Sequence, residues 1–75
     1  MMKCKVKLIW SHESDSWYTV SEDVPGLALG ADTFDALVDR VRVAVPELLE
    51  LNLDYKGDVE LYIEAELVEN LQAVS

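Results

Sequence analysis

Seventy-five residues, 51% of them hydrophobic, are enough for one domain with a single core, and a domain of that size buries only about 60 to 65% of the surface of its unfolded chain. Fifteen acidic residues against six basic give a formal net charge of -9, which repels nucleic-acid phosphate and attracts basic partners. A single cysteine, Cys4, excludes an internal disulfide, and no early apolar run is long enough for a signal core or a membrane span, so a cytoplasmic protein is expected.

Residues 4 to 10 alternate. Cys4, Val6, Leu8 and Trp10 share one face and Lys3, Lys5, Lys7 and Ile9 the other, which is the period of a half-buried strand. The polar segment from Ser11 to Ser16 predicts a hairpin loop into a second strand, Trp17 to Ser21, with the two tryptophans flanking the loop. Pro25 presets φ for the second position of a β-turn and Gly26 can take the positive φ of a type II turn. A short third strand, Leu27 to Gly30, then completes an antiparallel meander.

Asp32 or Thr33 can return a side-chain oxygen to the free amides of a first helical turn, and Asp35 places negative charge at the positive end of the helix dipole. From Phe34, the apolar residues Leu37, Val38, Val41, Val45, Leu48 and Leu49 follow at spacings of three and four and form one stripe for the sheet. Pro46 removes a ladder bond at a cost of about 3 kcal/mol if it lies mid-helix. Leu48 and Leu49 keep the phase across it, so the reading is a continuous or nearly continuous helix to about Leu51, against a break at Val45. Asn52 is the expected stop, followed by a loop around Gly57. Val59, Leu61, Ile63, Ala65 and Leu67 then alternate with Glu60, Tyr62, Glu64 and Glu66 as a last strand.

The segment Asp23-Val24-Pro25-Gly26-Leu27, followed by Ala31-Asp32-Thr33-Phe34-Asp35-Ala36-Leu37, resembles the N-terminal domain of HicB-type antitoxins. In that family a D-[LV]-P-G segment leads to a G-D-T-x-[ED]-[ED]-A helix start. The likeness spans residues 3 to 67 and is closer to short, uncharacterised single-domain members, which have counterparts of Trp10, Trp17, Val24-Pro25-Gly26, Asp32-Thr33 and Val45-Pro46-Glu47-Leu48. Ala31 departs from the usual glycine. The resemblance implies an α+β fold of order β-β-β-α-β, a partial double-stranded-RNA-binding-like fold. That makes one domain over residues 1–67 and a C-terminal tail over 68–75. The family's DNA-binding segment has no counterpart before Ser75, so operator binding is not expected.

No assembled catalytic constellation is visible. His12 lacks a second ligand or an orienting partner, and in a polar loop it reads as solvated and idle. Cys4 reads as a small buried hydrophobe, because a reactive thiolate needs exposure and nearby positive charge. Asp32, Asp35 and Asp39 lie on adjacent helical turns without the loop spacing of a cation site. Gly26, Gly30 and Gly57 form no phosphate-binding fingerprint. Neither a metal nor a cofactor is expected. The row Lys3, Lys5 and Lys7 could touch RNA phosphate, but it can also pair with Glu60, Glu64 and Glu66 if the first and last strands are neighbours, and the pairing is favoured.

Two roles follow. The first, implied by the resemblance, is a non-enzymatic protein-binding module. Its partner would be a small basic ribonuclease of the HicA type, and the matching turn and cap residues Pro25, Gly26, Asp32 and Thr33 would be structural. The motif carries over no toxin contact; the acidic face Glu60, Tyr62, Glu64 and Glu66 and the acidic helix face are the candidates that charge alone offers. The second is a stand-alone homo-oligomer that keeps the fold without a toxin partner.

Overall fold

The computed structural model describes residues 1–74, and Ser75, the end of the expected tail, lies outside the described residues. The chain forms β1 (Met2–Ser11), β2 (Ser16–Val20), β3 (Gly30–Ala31), α1 (Phe34–Leu53) and β4 (Val59–Glu66). The sheet is mixed, in the order β3-β2-β1-β4. β1 pairs antiparallel with β2, β2 antiparallel with β3, and β1 parallel with β4. The helix supplies the long crossover that a parallel pair requires.

β1 and β2 meet in register at Trp10 and Trp17, whose rings lie edge to face with centroids 5.4 Å apart. Trp17 in turn meets Phe34 at 5.2 Å, so the hairpin is joined to the first residue of α1 by aromatic contact. Cys4, Val6 and Leu8 face inward from β1 and close on Leu37, Val41, Val45 and Leu49 of α1, with Val24 and Leu27 completing the core. These four helix residues recur every fourth position, the stripe that a helix turns toward a sheet. Pro46 stands inside α1 and leaves it continuous, because Val45 and Leu49 are buried on either side of it.

The Pro-Gly turn forms as its residues require. Leu27 N–H donates to Val24 C=O at 3.3 Å, and Gly26 sits at φ 82°. Thr33, not Asp32, is the N-cap, its Oγ1 accepting from Ala36 N–H at 3.2 Å, while Asp32 is exposed. β3 is shorter than expected and begins later, at Gly30. At Thr19 the pairing with Leu29 is only half backbone: Thr19 N–H donates to Leu29 C=O at 3.1 Å, while Leu29 N–H turns to Thr19 Oγ1 at 3.0 Å instead of a strand carbonyl. The helix also runs past the expected stop. Asn52 is occupied instead in donating Nδ2–H to Pro25 C=O at 3.0 Å, and Asp54 takes the left-handed conformation at φ 53° and caps the helix.

Tyr55 fastens the starts of β1 and β4 together. Its hydroxyl accepts Met2 N–H at 3.1 Å and donates to Asp58 C=O at 2.5 Å. Beyond β4, residues 67–74 have no regular secondary structure and are exposed. Among the described residues, no helix is long and apolar enough to cross a membrane.

Candidate functional site

Glu60, Tyr62, Glu64 and Glu66 share the outer face of β4, because successive strand residues alternate between faces and Leu61 and Ile63 turn toward the core. Parallel pairing sets Glu60 beside Lys3, Tyr62 beside Lys5, Glu64 beside Lys7 and Glu66 beside Ile9. One strand further, Val20 lies beside Lys7 and Tyr18 beside Ile9. The outer face is therefore banded, with carboxylates at the sheet margin, lysines along its centre, and Tyr18 and Val20 exposed on the far side.

The register brings Lys3 to Glu60 and Lys7 to Glu64, as the alternation allows, while Glu66 meets an isoleucine. Among the described residues, the ion pairs within 4 Å are Arg42 with Asp39 at 3.3 Å and Lys56 with Glu50 at 3.9 Å, both away from this face. The carboxylates of Glu60 and Glu64 are thus adjacent to lysines without being locked to them. Tyr62 is held by its neighbour Glu60. Its hydroxyl donates to a carboxylate oxygen of Glu60, which pushes the phenol above its ordinary pKa, with desolvation and the Glu60 charge acting in the same direction.

β2 ends at Val20, and side chains then take over its pairing with β1. Ser21 Oγ donates to Lys5 C=O at 2.7 Å and Asp23 Oδ2 accepts Lys5 N–H at 2.8 Å, which keeps the ladder satisfied while the backbone leaves for the Pro-Gly turn. Lys5, Lys7, Ser21, Asp23 and Glu64 line a shallow depression over this junction.

The remaining candidates are dispersed. Cys4 is fully buried, burial pushes its thiol pKa up, and the Asp23 carboxylate adds to that shift, both opposing a thiolate. His12 is not idle. Its Nε2–H donates to Val68 C=O at 2.6 Å, and its ring meets Trp10 edge to face at 6.4 Å, so the hairpin loop holds the start of the tail. Sequence reasoning missed this contact because its partner is a backbone carbonyl, which any residue type supplies. Among the described residues no three of His, Cys, Asp and Glu converge as a metal would require, Asp32, Asp35 and Asp39 included.

A family profile described as a domain of unknown function, DUF1902, matches residues 3–74. No protein of curated function matches the chain. Among solved structures, the crystal structure of hypothetical protein TTHA1013 from the extremely thermophilic bacterium Thermus thermophilus is similar over 95% of this chain and 99% of that one, at 40% identity and a TM-score of 0.77.

Proposed function

Since the chain belongs to the DUF1902 family, we propose its role from its surfaces: a non-catalytic module that binds a small basic protein through the acidic outer face of β4. The observation that carries this reading is the position of Glu60, Glu64 and Glu66 on the last strand of the sheet, in a chain of net charge -9. Complementary charge of this kind speeds encounter and selects partners more than it tightens them. The turn and cap pattern from Asp23 to Leu37 resembles the toxin-neutralising domain of HicB-type antitoxins, and a HicA-like ribonuclease is a partner of the right size and charge. On this reading the fold is HicB-like, Pro25, Gly26 and Thr33 are structural, and the outer-face carboxylates make the contact.

The test is an affinity pull-down of the tagged protein from its own cells, washed at low and then high salt, with mass spectrometry of what stays bound. A small basic protein recovered at low salt and released as salt rises is the expected result. Recovery of the chain alone sinks the reading. A second reading, a homo-oligomer without a toxin partner, is favoured by one observation, the exposure of Leu67, Val68, Leu71 and Val74 after β4. A melting temperature that rises with protein concentration would support it.

A further inference from the structure

We infer that the free edge of β4 takes up an extended segment of the partner, whose side chains alternate between basic and apolar, as an added fifth strand. This rests on the proposed basic partner and states how that partner is held.

The phase of the edge follows from the hydrogen bonds at the start of the parallel pair. Met2 N–H donates to Asp58 C=O at 3.1 Å, and Lys5 directs its own N–H and C=O to Asp23 and Ser21 on the opposite side of β1. In a parallel ladder the backbone groups of successive residues point alternately to the two sides. The groups of Glu60, Tyr62 and Glu64 therefore point to β1, and those of Leu61, Ile63 and Ala65 point outward, where among the described residues β4 is the edge of the sheet. This is a row of donors and acceptors in the geometry that strand addition uses.

Side chains on the two faces define what can lie there. On the outer face an incoming strand meets Glu60, Glu64 and Glu66 and requires positive charge at alternate positions. On the inner face it meets a groove between helix and strand lined by Val45, Pro46, Val59 and Leu61, with Arg42 at its rim, and requires apolar side chains at the positions between. A second copy of β4 fits poorly. In an antiparallel self-pair centred on Ile63, Glu60 falls opposite Glu66 and Tyr62 opposite Glu64, which sets like charges against each other in two net-negative chains.

The experiment is amide hydrogen exchange by NMR on the whole chain, alone and with a short synthetic peptide alternating lysine and valine. A second peptide of equal charge, with proline for its central valine, serves as control because proline cannot donate to a ladder. The expected result is exchange slowed about tenfold or more at Leu61, Ile63 and Ala65 with the first peptide and little changed with the second, since ladder bonds protect the amides they engage. Equal effects of the two peptides, or none at these amides, would overturn the inference. So would protection that grows with protein concentration in the absence of peptide, which would mean self-pairing.

Two variants separate the inference from the function on which it rests. Ile63→Pro removes an outward N–H, and Glu60→Lys with Glu64→Lys reverses the outer charge without touching the core. Each is expected to weaken peptide binding about tenfold or more. If the wild type captures a basic protein from cells and both folded variants capture it equally well, the docking mode falls and the partner reading stands. Should Ile63→Pro fail to fold, the charge variant and the exchange data still decide. If the wild type captures nothing, the partner reading falls independently of the peptide result.

Discussion

Gly26 holds φ at 82° beside Asn52 and Leu48, where an added Cβ would meet ordinary contacts at 3.5 Å, so the backbone conformation alone makes this position glycine. Gly26→Ala is expected to lower stability by about 1 kcal/mol, measured by urea unfolding. Thr33→Ala removes the cap on Ala36 N–H and is expected to lower it by about 1 kcal/mol, with Thr33→Ser close to neutral. At Tyr62 the raised phenol pKa means that the folded chain holds this proton more tightly than the unfolded one does. Any stabilisation from it is complete below the ordinary phenol range and is lost as pH rises through the folded value. The NMR shifts of the Tyr62 ring should therefore titrate above the ordinary range, and Glu60→Gln should bring the midpoint down by removing the carboxylate to which the hydroxyl donates.

At the scale of elements, α1 carries Pro46 with its helix intact, at the loss of one ladder bond. Pro46→Ala is expected to stabilise the domain by about 1 to 2 kcal/mol, the helix gain being partly offset by a freer unfolded chain. Denaturant midpoints of the two proteins would show it. The helix was legible through the proline because burial at Val45 and Leu49 continues one phase, and β1 and β4 were legible because alternation is written in adjacent residues. Those same residues made the acidic face of β4 readable. Its place at the margin was not, since strand order depends on pairing between distant segments that leave no local mark. β3 and the helix stop were misjudged for a related reason. Thr19 and Asn52 spend their side chains on backbone groups far along the chain, at Leu29 and Pro25, and composition near either residue does not announce such a bond.

Over the whole molecule, the extents of 56 × 19 × 18 Å and radius of gyration of 14.6 Å describe an elongated body, whereas a compact domain of this length has a radius near about 11 Å. The packed core draws on residues from Cys4 to Leu49 and leaves the segment after β4 outside it. Truncation after Val68, which keeps the His12 contact, should change unfolding free energy by less than about 1 kcal/mol. Cys4 offers an internal probe of the rest. Because it is fully enclosed between β1 and α1, its modification by a thiol reagent should proceed at a rate set by global unfolding and accelerate with urea in step with the circular-dichroism transition.

The central place of β1 bears on how this chain comes off the ribosome. Its antiparallel neighbour follows almost at once, but its parallel neighbour begins at Val59, opposite Met2, after the whole of the helix has been made. During synthesis one side of the innermost strand therefore stays bare until β4 has cleared the exit tunnel, and only then can the sheet close. Nascent chains still on the ribosome should be readily cut by protease within β1, and the same chains after release should resist.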